Sequence, residues 1–199
     1  MATVVDIVNV GLTLLGEGRI VSLSDNSKAA RDANAIYEQV RDALLAGYTW
    51  SFAKRRDQLP ALSTAPTFQY ANAFQLPADC LRVVMVGDYH VGVDLTDYRG
   101  SPTEEFTIEG REILTNLGAP LNFKYVARIE DSTQFSANFN AALSAKLAEK
   151  LAEPLTQSDS KRARAEAAFN SEIKLAIRSN AIELPPQRLA DDDWIMSRL

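Results

Sequence analysis

The sequence predicts an α+β fold in which two helices at each end of the chain form a four-helix bundle and an antiparallel β-region is inserted between them. Three observations predict it. Apolar residues recur at helical spacing before residue 50 and again after residue 132. Pro60, Pro66, Pro77, Pro102 and Pro120 interrupt the stretch between, where apolar runs are short and strand-like. A chain of 199 residues, 46% hydrophobic and 24% charged, also has the composition of a globular domain with room for an insertion.

Residues 3–15 read as a short helix. Val4, Val8, Leu12 and Leu15 repeat along one face, and Gly16 and Gly18 stop the run. Residues 19–23 are a link. Residues 26–47 give a longer helix that Asp25 or Asn26 can cap, since either side chain can accept a bond from a free backbone N–H. Ala29, Ala33, Ile36, Tyr37, Val40 and Leu44 form its apolar stripe, with Lys28, Arg31, Asp32, Glu38, Arg41 and Asp42 on the remaining surface. Gly47 ends it.

Strands are expected at residues 68–76, 81–86, 105–108, 112–115 and 121–126, joined in one sheet of roughly four to six strands. Glu109-Gly110-Arg111 reads as a hairpin turn, with Gly110 supplying a positive φ. Beyond residue 132, Phe135, Phe139, Leu143, Leu147, Leu151 and Leu155 fall every four residues. Ala142, Ala145, Ala148 and Ala152 flank them and permit close approach by a neighbour. Pro154 ends or kinks this helix, and Ser158 or Asp159 caps a last helix over residues 160–181. Ala165, Phe169, Ile173, Ala176 and Ile177 mark its inner face. The short link makes the two C-terminal helices an antiparallel hairpin. The expected organisation is a helical body (1–56 and 130–182), an inserted β-domain (57–129) and an extended C-terminal tail (183–199).

The formal net charge of -5 argues against a protein that grips nucleic acid by neutralising phosphates. It does not exclude a protein that nucleic acid passes through, since an acidic wall would repel phosphates and let the strand slide. The single cysteine, Cys80, excludes an internal disulfide and reads as a small buried hydrophobe at the start of a strand. The N-terminus lacks the basic region of a signal peptide, and no apolar stretch reaches membrane-spanning length, so synthesis and folding in a cytoplasm are expected.

The residues supply little for catalysis. His90 is the only histidine, in Gly87-Asp88-Tyr89-His90-Val91-Gly92, with no nucleophile elbow nearby; it reads as an exposed loop residue. One Cys and one His cannot form a Cys/His metal site. The acidic pairs Glu104-Glu105 and Glu130-Asp131 and the run Asp191-Asp192-Asp193 lie in polar segments and read as solvated charges. Gly16-Glu17-Gly18 has neither the preceding strand nor the following Lys-Ser/Thr of a phosphate loop. No catalytic residue, metal site or cofactor is assigned.

Two segments suggest contacts instead. Arg55 and Arg56, beside Lys54, form either a salt-bridged surface patch or an intersubunit contact to an acidic neighbour, which arginine suits. In the tail, Pro185 and Pro186 stiffen the chain, and Trp194, Ile195, Met196 and Leu199 then form an apolar group beside the acidic run. That group reads as a docking anchor for a partner, with packing onto its own bundle as the alternative. Lys161, Arg162 and Arg164 oppose the dipole at the start of the last helix.

Three stretches taken together resemble the tail tubular protein A family, the head-to-tail adaptors of short-tailed bacteriophages. They are Leu14-Leu15-Gly16 leading to Val21-Ser22-Leu23 and Ser27-Lys28-Ala29-Ala30-Arg31; Tyr48-Thr49-Trp50-Ser51-Phe52-Ala53 with Arg55 and Arg56; and Leu76-Pro77-Ala78-Asp79-Cys80-Leu81-Arg82. The Phe135/Phe139 start of a Leu/Ala-rich helix extends the likeness to nearly the whole chain. The resemblance implies a virion protein of the tail neck. It would form a dodecameric ring below the portal protein, meet a tail nozzle protein, and let double-stranded DNA pass without sequence-specific binding. It implies no membrane contact and no enzyme activity. A head-completion factor, monomeric until it meets the portal, is the alternative, and a carboxylate-dependent cell-wall hydrolase is a more remote one.

Overall fold

Helix α1 (Val4–Leu15) begins where Thr3 and Asp6 satisfy each other. The Asp6 amide donates to Thr3 Oγ1 at 3.2 Å and the Thr3 amide donates to the Asp6 carboxylate at 2.9 Å. The Thr3 amide and the Thr3 hydroxyl, both donating to it, hold the Asp6 carboxyl below its usual pKa. Gly16, at φ 71°, closes the helix in the left-handed conformation. The structure, a computed structural model, describes residues 2–91 and 106–183.

Ser27, and not Asp25 or Asn26, caps α2 (Lys28–Gly47), its hydroxyl accepting from the Ala30 amide at 3.1 Å. Asp25 is already engaged, accepting from the Val21 and Ser22 amides at 2.7 and 3.1 Å. The buried stripe is Ala30, Ala33, Tyr37, Val40, Arg41 and Leu45, rotated slightly from the expected one. Arg41 was expected on the surface and is 4% exposed. Its guanidinium reaches Asp42 at 2.8 Å and lies over the Tyr37 ring. Asp42 also accepts from Arg128 at 2.8 Å, so the buried cation has a charged, hydrogen-bonded partner.

A 3-10 turn at Ser51–Ala53 leads into β1 (Lys54–Leu59), followed by β2 (Asn72–Gln75), β3 (Cys80–Val86), β4 (Tyr89–His90), β5 (Phe106–Glu109), β6 (Glu112–Thr115) and β7 (Leu121–Ala127). These do not form the single sheet expected. They form two antiparallel sheets, ordered β1-β7-β3-β4 and β2-β6-β5. The split falls at Pro77-Ala78-Asp79. Pro77 has no N–H for a ladder, and its carbonyl accepts from the Cys80 amide at 3.0 Å, turning the chain between β2 and β3. The strand expected over residues 68–76 is shorter for a similar reason: Gln69 has φ 72°, which breaks the extension before Asn72. The hairpin between β5 and β6 turns at Gly110, φ 58°, as its sequence suggests.

Ser136 caps α3 (Ala137–Thr156), so Phe135 precedes the helix instead of starting it. Ser158 caps α4 (Asp159–Ile182), and the two helices run back to back across a two-residue link. Helix α3 lies at the centre of the helical layer and touches α1, α2 and α4. Phe139, Leu143, Leu147 and Leu151 on it are fully buried. Each such side chain contributes about 1.5–3 kcal/mol by leaving water. The alanines between them are buried too, which lets the neighbouring helices approach closely. Pro154 is accommodated in the last turn of α3, and its carbonyl accepts from the Lys28 ammonium.

An aromatic cluster joins the helices to the start of β1. Trp50 meets Tyr48, Phe52 and Phe139 at ring-centre distances of 5.3, 6.1 and 5.0 Å, and Phe135 closes the group against Phe52 and Phe139. The C-terminal end of α4 is tied to the same place. Buried Asn180 accepts from the Ser51 amide at 2.6 Å and donates to the Thr49 carbonyl at 3.1 Å, and Ser51 Oγ donates to the Glu183 carboxylate.

Candidate functional site

The basic run Lys54-Arg55-Arg56 becomes the edge strand β1, and a strand sends successive side chains to opposite faces. Sequence neighbours are therefore separated. Arg55 lies opposite Tyr125 and donates to Gln134 Oε1 at a long 3.5 Å. Arg56 lies opposite Lys124, and Lys54 opposite Val126, on the other face. The unit the fold assembles is thus Lys54, Arg56 and Lys124. None of the three, nor Arg55, forms an ion pair with a described residue, so the salt-bridged surface patch is not what the run makes among those residues.

The electrostatic consequence is visible at Lys54. Partial burial, and then the nearby Arg56 and Lys124 charges, push its ammonium below the ordinary lysine pKa. Arg56 and Lys124 also line an open hollow of about 700 Å³ with Gln58, Met85 and Asn122. Asp57 and Asp88 border it without pairing to either cation. Lys124 is the member that sequence reading missed. The alternation of residues 121–126 puts it on the solvent face with Asn122, but its partner strand lies about seventy positions away in sequence and does not alternate.

Other candidates are placed elsewhere. Cys80 opens β3 and is buried and free, as its sequence position suggests. Burial pushes its thiol up to about 11. We predict that iodoacetamide at pH 8 leaves Cys80 unmodified in the folded protein, since almost none is thiolate. The same shift predicts a pH dependence. A thiol whose pKa is higher in the folded state stabilises the fold fully below the unfolded value, about 8.5. That stability fades as pH rises through about 11. Thermal melts between pH 8 and pH 11 should lose about 2–3 kcal/mol from this group, and Cys80→Ala should flatten the slope. An identical slope in Cys80→Ala rejects the assignment.

His90 ends β4, opposite Met85. Glu130-Asp131 does not pair for acid/base work. Asp131 caps the turn Ser132–Gln134, and bonds from the Thr133 hydroxyl and amide hold its carboxyl low. Among the described residues no group of three or more His, Cys, Asp and Glu could hold a metal ion. Nor is any of their helices long and apolar enough to cross a membrane. Glu104, Glu105, Asp191, Asp192, Asp193, Trp194, Ile195, Met196 and Leu199 lie outside the described residues.

Two further surface hollows lie between helices. One, of about 610 Å³, is lined by Ile36, Val40, Leu44, Lys146, Lys150 and Phe169. Lys146 is not free there. Its ammonium lies 4.5 Å from the Phe169 ring centre and pairs with Glu149 at 2.8 Å. The second, of about 440 Å³, lies between α1 and α4 beside Val10 and Leu14, which are exposed, with Arg19, Lys161 and Arg164 around it. A Cβ at Gly16 would sit 3.8 Å from the Lys161 ammonium. That cation therefore stands at the C-terminal end of α1, whose dipole favours it, and this offsets its unfavourable place at the start of α4.

Compared with protein-family models and with curated proteins, the chain matches none.

Proposed function

We propose that the chain is a ring-forming head-to-tail adaptor of a bacteriophage virion, joining the portal protein to the tail nozzle around a channel for double-stranded DNA. The observation that carries this reading is the order of the three stretches resembling the tail tubular protein A family, which spans nearly the whole chain. Each stretch serves a joint of the fold: Gly16 ends α1, Trp50 anchors the aromatic cluster, and Cys80 opens β3. A likeness at joints is a likeness of architecture, which is the level at which an adaptor works.

In this reading the four helices form the body (1–56 and 130–182), the strands form the inserted domain (57–129), and the tail (183–199) reaches a partner. Twelve copies follow from the resemblance. A closed ring needs head-to-tail contacts between two different patches. The exposed Val10 and Leu14 and the basic strand β1 are chemically unlike each other, as such contacts require. Trp194, Ile195, Met196 and Leu199 are the proposed docking group, and Arg55 and Arg56 the proposed intersubunit cations, which now act on opposite faces of β1.

The test is native mass spectrometry and electron microscopy of the purified chain with and without its portal. A ring, alone or on the portal, is the expected result. A monomer that persists at high concentration and ignores the portal overturns the reading.

A further inference from the structure

The exit point of the tail, combined with cations of β1 that have no ion-pair partner among the described residues, leads to an internal docking site. Helix α4 delivers the chain to Glu183, whose carboxylate accepts from Ser51 Oγ. Ser51 is three residues from Lys54, the first residue of β1. Three residues of backbone plus the two linking side chains put the start of the tail within roughly 20 Å of Lys54. Asp191 follows Glu183 by eight residues, a reach of roughly 27 Å when extended. The acidic run can therefore reach Lys54, Arg56 and Lys124 of its own chain without strain.

Charge and spacing match as well. Lys54 and Arg56 share a face of β1 and are separated by two residues, so they stand roughly 6.8 Å apart. In an extended segment Asp191 and Asp193 share a face at the same spacing. Strand β1 is the edge of its sheet, so its outer backbone groups are open to another strand. Lys124, opposite Arg56 on β7, widens the cationic surface on the inner side. Asp57 lies on the other face, opposite Phe123, and Asp88 only borders the hollow.

We propose that Asp191, Asp192 and Asp193 of the same chain seat along β1 against Lys54, Arg56 and Lys124, holding the following Trp194-Ile195-Met196 in a fixed place beside the sheet. Single exposed ion pairs are weak. Here the contact is intramolecular, and a short tether gives an effective concentration of roughly millimolar. The site does not depend on the portal reading. It would orient the apolar group for any partner, and it gives Arg56 a same-chain acidic neighbour in place of the intersubunit one that the sequence suggests.

Zero-length carbodiimide coupling of the full chain tests this, because it joins only carboxylates and amines already in contact. An equal mixture of light and nitrogen-15-labelled protein is coupled at low salt and mapped by mass spectrometry. The expected products join residues 191–193 to Lys124 or Lys54, within one isotope form only. Arg56→Gln removes a docking charge but no coupling partner, and it should lower that yield about fivefold. Salt at 1 M, where screening acts beyond about 3 Å, should lower it similarly. Coupling of the run to Lys146, Lys161 or Lys174 in equal yield overturns the proposal. So does a yield indifferent to Arg56→Gln. Mixed-isotope products would assign the run to a second copy and overturn the same-chain assignment. Circular dichroism of Arg56→Gln, an exposed position, checks that its fold is intact.

Discussion

Replacing Trp50 with alanine is expected to destabilise the fold by about 3–5 kcal/mol, the range for emptying a large buried aromatic site. Trp50 is 0% exposed and fills the junction of α2, α3 and β1. Its indole N–H donates to the Leu44 carbonyl at 3.0 Å, satisfying one of the carbonyls that the last turn of α2 leaves without a helical partner. The loss is therefore both a cavity and an orphaned acceptor. Trp50→Phe keeps most of the ring contacts and removes the donor, and should cost about 1–2 kcal/mol less than the alanine variant. Urea unfolding followed by far-ultraviolet circular dichroism reads both. An alanine variant within about 1 kcal/mol of the parent would show that the aromatic junction does not hold the two parts of the chain together.

Gly11 is the second position where a small change should act strongly. In an isolated helix, alanine in place of glycine gains about 1 kcal/mol. Here a Cβ would lie 2.8 Å from the Ser144 backbone carbonyl oxygen and 3.5 Å from the Ala148 nitrogen. Backbone on α3 cannot move aside as a side chain could. Ser144 also donates to the Ile7 carbonyl at 2.9 Å, and separating α1 from α3 would break that buried bond. Gly11→Ala is expected to lose about 1–2 kcal/mol net, and Gly11→Val about 3 kcal/mol or more, because the overpacking outweighs the helix preference. Midpoints of thermal or urea unfolding decide the sign. A stabilised Gly11→Ala would mean that α1 and α3 do not cross this closely.

These two positions differ in how far the sequence exposes them. Trp50 stands out as a large apolar group in a short segment with Phe52 and the arginines. Gly11 has no such signal. It interrupts an apolar stripe whose period is carried by Val8, Leu12 and Leu15, and only the approach of α3 gives it a role. Asn9 is similar. It looks like a polar break in the first helix, yet its amide accepts from the Ile20 nitrogen at 2.8 Å and donates to the Ile20 carbonyl at 2.9 Å, fixing the link between α1 and α2.

The basic site follows the same division. Lys54-Arg55-Arg56-Asp57-Gln58 has no alternation and few β-formers, so local pattern does not suggest a strand. Pairing with β7, whose apolar alternation is strong, makes it one. Charged side chains are what an exposed sheet edge favours, which is why the strand is invisible to hydrophobic periodicity. Arg41 shows the converse. A helix-surface residue by type, it is buried because Asp42 and the Tyr37 ring receive it.

Periodicity, caps and turn residues act over a few neighbouring positions, so the sequence by itself determined the four helices, the Gly110 hairpin, the apolar strand of residues 81–86 and the burial of Cys80. Tertiary structure decided which strands share a sheet, which basic residues share a face, and how near α1 can come to α3. Those outcomes depend on register and contact between segments some 70 to 140 residues apart. Free energy there belongs to pairs of distant residues, and no property of either member alone contains it.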